Sequence, residues 1–113
     1  MKYLMLGLIT ESGQQLLGPD LEAWMQEIGA WYEKWGSAGK LADSGHQLDS
    51  IDKVKTIRAS GVFDGPFMET KEVLGGYSVL ETETVDEAVE ISKTWPGVDR
   101  GLIVIEVRPV IAM

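Results

Sequence analysis

Two stretches of this chain are apolar on both sides of an extended backbone, and this limits the possible folds more than any other feature. In residues 2–9, Leu4, Leu6 and Leu8 fall in one row and Tyr3, Met5 and Ile9 in the other, because strand side chains alternate. In residues 102–108, Ile103, Ile105 and Val107 form one row, and Leu102 and Val104 the other. A strand with two apolar faces needs cover on both. Residues 1–9 are too short for a membrane span. They also lack the longer apolar run and small-residue cleavage site of a signal peptide. The stretch reads as a buried strand of a cytoplasmic protein.

Between these strands the pattern alternates in kind. Residues 11–18 read as a loop containing Gly13 and Gly18. Pro19 then stands at a first helical position, with Asp20 and Glu22 in the first turn, where negative charge suits the helix dipole. Leu21, Trp24, Met25, Ile28, Trp31, Tyr32 and Trp35 follow as one helical stripe, ended by Gly36 and Gly39. The spacing assigns these aromatics to the core. Trp31 and Tyr32 are adjacent and point in different directions, so one of them is free to line a cavity or an interface. Residues 41–48 read as a weaker strand and 53–59 as a better one. Residues 61–67 carry a turn at Asp64-Gly65-Pro66. Residues 68–72 read as extended and 75–81 as a further strand. Thr84 and Glu87 form a capping-box pattern before a second helix, with Val85, Ala88, Val89 and Ser92 inward. Trp95-Pro96-Gly97 ends that helix.

The order gives an α+β fold, a ferredoxin-like βαββαβ domain over residues 1–113 with a central insertion and an antiparallel sheet. Its two helices cover one sheet face. The simplest cover for the other is the same face of a second copy about a two-fold axis, which predicts a homodimer with facing sheets. The alternative is that loops from residues 41–72 cover it within a monomer.

Ten Lys+Arg against eighteen Asp+Glu give a net charge of -8, which argues against nucleic acid or an anionic membrane as the main partner. The absence of cysteine excludes disulfides, thiolate metal sites and cysteine nucleophiles. A single histidine excludes a His-rich metal site. No Walker sequence or dinucleotide fingerprint occurs, and Gly75-Gly76 precedes a strand rather than a helix. No metal and no cofactor are expected.

The polar residues with chemical potential are few. Glu106 and Arg108 share the row of Leu102 and Val104, as a rim salt bridge or as the polar mouth of an apolar cavity. Asp64-Gly65-Pro66-Phe67 leads into Glu69-Thr70-Lys71-Glu72, the densest polar segment. In extended structure Glu69 and Lys71 share one face. The segment reads as a turn with a solvated charge run, or as a source of ligand-binding groups. His46, with Asp43 and Asp49 nearby in sequence, is a candidate general base or a surface-loop residue.

These residues also carry a resemblance. Asp64-Gly65-Pro66-Phe67, Glu69-Thr70-Lys71-Glu72, Gly75-Gly76-Tyr77, Asp86-Glu87-Ala88 and Glu106-Val107-Arg108-Pro109, in that order, closely resemble the YCII-related proteins of the DGPF type. The N-terminal Met1-Lys2-Tyr3-Leu4-Met5-Leu6 agrees. The resemblance implies a small bacterial protein of the dimeric α/β-barrel superfamily. Some of the wider group use a His–Asp pair near the start of the first helix. Here Pro19-Asp20-Leu21-Glu22 occupies that region without a histidine. The DGPF branch is also similar to frequent companions of extracytoplasmic-function sigma factors.

Two functions follow as expectations. The first is a small-molecule binder or metal-free enzyme of lyase or isomerase type, with a pocket between the sheet and the dimer interface. Asp64, Arg108 and His46 would be its catalytic groups, and Glu69, Lys71, Tyr77 and Glu106 its substrate-binding groups. The second is a non-catalytic protein-interaction module linked to transcriptional regulation.

Overall fold

The computed structural model describes residues 1–68 and 70–112. Its elements are β1 (Lys2–Ile9), α1 (Glu11–Gln14), α2 (Gly18–Ser37), β2 (Leu41–Gln47), β3 (Lys55–Arg58), β4 (Gly61–Asp64), β5 (Val73–Glu81), α3 (Val85–Lys93) and β6 (Ile103–Pro109). Four strands form one sheet in the order β2-β5-β1-β6, with antiparallel pairings throughout. This is the ferredoxin-like order once β3 and β4 are set aside as an insertion, and β3–β4 make a separate two-stranded sheet. No helix among the described residues is long and apolar enough to cross a membrane.

The helices lie on one face. Tyr3 and Met5 of β1, Leu80 of β5 and Ile103 of β6 are buried there with Trp24 and Trp31 of α2, and Ala88 and Ile91 of α3. Both buried indoles of α2 also find acceptors. Trp24 Nε1 donates to Pro96 O at 2.8 Å and Trp31 Nε1 to Thr94 Oγ1 at 2.9 Å. These bonds tie α2 to the segment after α3, where Trp95 meets Trp24 edge-on with ring centroids 6.4 Å apart. At the start of α3, Thr84 Oγ1 accepts the Glu87 N–H at 3.1 Å, so the capping pattern is realised.

The opposite face has no helix among the described residues. Leu4, Leu6 and Leu8 of β1 lie opposite Arg108, Glu106 and Val104 of β6, and Val104 remains 45% exposed. One sheet under one layer of helix accounts for a molecule 18 Å thick in its thinnest direction.

The structure differs from the sequence reading in three local places. Residues 11–14 form a short helix, because Thr10 Oγ1 caps it by accepting the Gly13 N–H at 3.2 Å. A side chain at Gly13 would approach Leu102 O to 2.2 Å, so only glycine fits there. Residues 61–64 form β4, paired with β3 across a turn at Ala59-Ser60, and the chain then bends at Gly65, φ 99°, where the Asp64-Gly65-Pro66 signal placed a turn. Finally, the described residues of 68–72 bend instead of continuing as a strand. Short polar segments lack the periodicity that separates strand from bend.

Candidate functional site

The helix-covered face does not carry large side chains along its whole length. Register pairs Tyr3 with Leu80, then Met5 with Ser78, then Gly7 with Gly76. Along two neighbouring strands the inward side chains shrink together and end in bare backbone. The register shifts after Gly7, leaving Gly75 as the extra residue of a bulge. A side chain at Gly75 would lie 2.4 Å from Ile9 Cδ1. The edge strand β2 closes in at the same level. Gly45 has φ 73°, and a Cβ there would lie 1.7 Å from Tyr77 O, a contact no other residue could accept.

Over this glycine floor lies the N-terminal half of α2. Leu21, Trp24, Met25 and Ile28 face a cavity of about 630 Å³, within the range usual for small-molecule sites. Trp95, Ile103 and Ile105 complete much of the apolar lining. The cavity exists because α2 rests on the large side chains of β1 and β5 at one end of the sheet, while Gly7 and Gly76 at the other end offer none.

Two hydroxyls of the lining meet. Tyr32 Oη and Ser78 Oγ lie 2.7 Å apart, and Ser78 Oγ donates to the Ser44 carbonyl at 3.0 Å. Ser78 is fully buried and Tyr32 half-buried. Of the adjacent aromatic pair in α2, Trp31 packs in the core and Tyr32 lines the cavity. Among the described residues, no lining side chain is Asp, Glu, Lys or Arg. Nor does any group of three His, Asp or Glu gather to hold a metal ion among them.

The candidate residues from sequence divide into two sets. His46 and Tyr77 border the cavity through backbone, and their rings, with centroids 6.0 Å apart, share the helix-free side with Leu6, because register pairs His46 with Tyr77 and Tyr77 with Leu6. The charged candidates do not line it. Arg108 Nε pairs with Glu106 Oε2 at 2.9 Å on the helix-free face. Asp64 pairs with Lys55 on the hairpin, and both side chains are largely exposed. Lys71 Nζ lies 4.0 Å from Glu11 Oε1. Glu69 lies outside the described residues. Asp49, at the foot of the hairpin, has its carboxyl held below the usual range by the Ser50 backbone N–H and then by Lys53. Within one chain, then, the structure brings Arg108 and Glu106 together and holds Asp64 and Lys71 elsewhere.

Sequence reading left Tyr32 as one of two rings free to line a cavity, and missed Ser78 and the glycine floor as site features. A signal was present. Two strands taper in step, Tyr-x-Met-x-Gly in β1 and Gly-x-Ser-x-Leu in β5, and a third glycine lies in β2. It becomes visible only once the strands are known to be neighbours.

Three comparisons bear on this fold. The family model described as a YCII-related domain matches residues 1–113. An uncharacterised protein of Rhizobium meliloti (strain 1021) is 30% identical over 88 residues, covering 75% of this chain and 71% of the relative. Among solved structures, 5-chloro-2-hydroxyhydroquinone dehydrochlorinase from Burkholderia phenoliruptrix AC1100, in complex with 2,5-dihydroxybenzoquinone, superposes with a TM-score of 0.53. That likeness covers 98% of this chain and 94% of the other at 17% identity, and it is a likeness of fold.

Proposed function

This chain belongs to the YCII-related domain family, and on that premise we propose that it binds a small organic molecule in the cleft between α2 and the sheet. One observation carries the reading. The cavity of about 630 Å³ is built by paired glycines in β1 and β5, at positions where a packed core would hold side chains. The lining is mainly apolar with a few converging polar groups, as small-molecule sites are. The structural neighbour of the same fold is a dehydrochlorinase bound to a hydroxylated quinone, which supports a small ring as the class of ligand. Acid–base chemistry of lyase or isomerase type is the catalytic form of this proposal, and Tyr32 Oη, bonded to Ser78 Oγ at 2.7 Å, is the cleft group able to move a proton.

The helix-free face favours a homodimer. Leu4, Leu6, Leu8 and Val104 form an apolar row with no helix over it, and a second copy is the self-complementary cover. In that arrangement Glu106 and Arg108 lie between the copies and orient them. Asp64 and Lys71 are then groups of the projecting segment rather than of the cleft.

Isothermal titration of the whole protein with hydroquinone tests the binding reading. Saturable heat with one site per chain is expected. Ile28→Trp, which adds bulk to the cavity wall, should remove it while the fold persists by circular dichroism. Absence of saturable heat in the unaltered protein, or unchanged heat in Ile28→Trp, contradicts the reading.

A further inference from the structure

We propose that the cleft selects an uncharged, planar ligand that offers a hydroxyl or N–H hydrogen to the phenolic oxygen of Tyr32. The inference rests on the cleft being a ligand site and narrows what fills it.

The direction of the hydrogen bonds fixes the polarity of recognition. A serine hydroxyl has one hydrogen. Ser78 Oγ spends it on the Ser44 carbonyl at 3.0 Å, an oxygen that can only accept. Ser78 must therefore accept from Tyr32, 2.7 Å away. The single hydrogen of Tyr32 is then engaged, and its oxygen turns to the cavity as an acceptor. A ligand atom that donates is matched, whereas an ether or carbonyl oxygen there meets a second acceptor.

Charge is selected by what is missing from the described lining, which has no Asp, Glu, Lys or Arg to compensate an ionised ligand. A carboxylate entering the cleft would give up its water for apolar walls. The chain's net charge of -8 acts against it at longer range as well. Shape follows from the floor. Gly7 and Gly76 leave flat peptide backbone exposed to the cavity, and Trp24 and Trp95 supply aromatic walls.

Three probes of similar ring size separate these terms in calorimetric titrations of the whole protein. They are hydroquinone, its dimethyl ether, and 2,5-dihydroxybenzoate. Hydroquinone should bind about 3- to 10-fold more tightly than the ether, the range of one neutral hydrogen bond. The carboxylate should bind at least about tenfold more weakly than hydroquinone. Tyr32→Phe should erase the gap between hydroquinone and ether by weakening hydroquinone alone. Ser78→Ala returns the Tyr32 hydrogen to the cavity, so the same gap should narrow because the ether gains. This second variant keeps the test open if Tyr32→Phe fails to fold.

Equal binding of all three probes, or a gap that survives Tyr32→Phe, overturns the selection while leaving the cleft as a ligand site. Failure of every probe to bind the unaltered protein overturns both.

Discussion

The two faces of the sheet are made from the same four strands and are finished differently. On the helix side, large residues meet at one end and glycines at the other, so α2 packs tightly over Tyr3 and Leu80 and stands off above Gly7 and Gly76. On the far side the rows keep leucine and valine, with Glu106 beside Leu6, Arg108 at one end, and no helix above them among the described residues. A face that narrows to glycine makes room for a small molecule. A face that stays apolar and flat suits another protein surface. The hairpin β3–β4 shares the second character, since Ile57 and Val62 pair across its strands at 79% and 66% exposure. A two-stranded hairpin with exposed apolar residues is marginal in water and gains from a partner.

The difference can be broken at its tightest point first. Gly45→Ala places a methyl group 1.7 Å from Tyr77 O in a positive-φ position, so β2 must move. A loss of more than about 3 kcal/mol is expected in urea unfolding followed by tryptophan fluorescence, as for severe overpacking combined with backbone strain. Trp31→Ala removes a buried ring and its bond to Thr94, and should cost about 3–5 kcal/mol by the same measurement. Leu8→Arg puts a charge between Leu74 and Val104 on the helix-free face. It should convert a dimer to a monomer by light scattering while leaving hydroquinone binding in place, which separates the two faces cleanly. Arg108→Ala gives the smallest effect if that face is in water, under about 1 kcal/mol, as for an exposed ion pair. If the face is buried between copies, the cost rises to about 2–5 kcal/mol and appears in dimer dissociation. Arg108 therefore reports on which environment its face has.

The frame of the fold was legible because it rests on long periodic signals. The doubly apolar strands at the two ends of the chain, the aromatic stripe of α2 and the Thr84–Glu87 cap are each local patterns, and the structure realises them. The site was less legible because it depends on register. Nothing local shows that Gly7 faces Gly76, or that Ser78 reaches both Tyr32 and Ser44. Sequence reading gave weight to charged residues, since charge stands out in a string of letters. The structure instead builds its cavity from residues that lack side chains, and it pairs Asp64 and Arg108 with near neighbours elsewhere. His46 and Tyr77 reach the cavity only with backbone, and their rings lie on the face of Leu6.

The position of a bound ring is the most direct measurement of whether the tapered face is the functional one. In crystals grown with hydroquinone, difference density should lie beneath α2, between Trp24 and the Gly7–Gly76 backbone, with one ring hydroxyl at hydrogen-bond distance from the Tyr32 oxygen. Density against Arg108 and Glu106 on the helix-free face, with the cleft beneath α2 empty, would contradict the account.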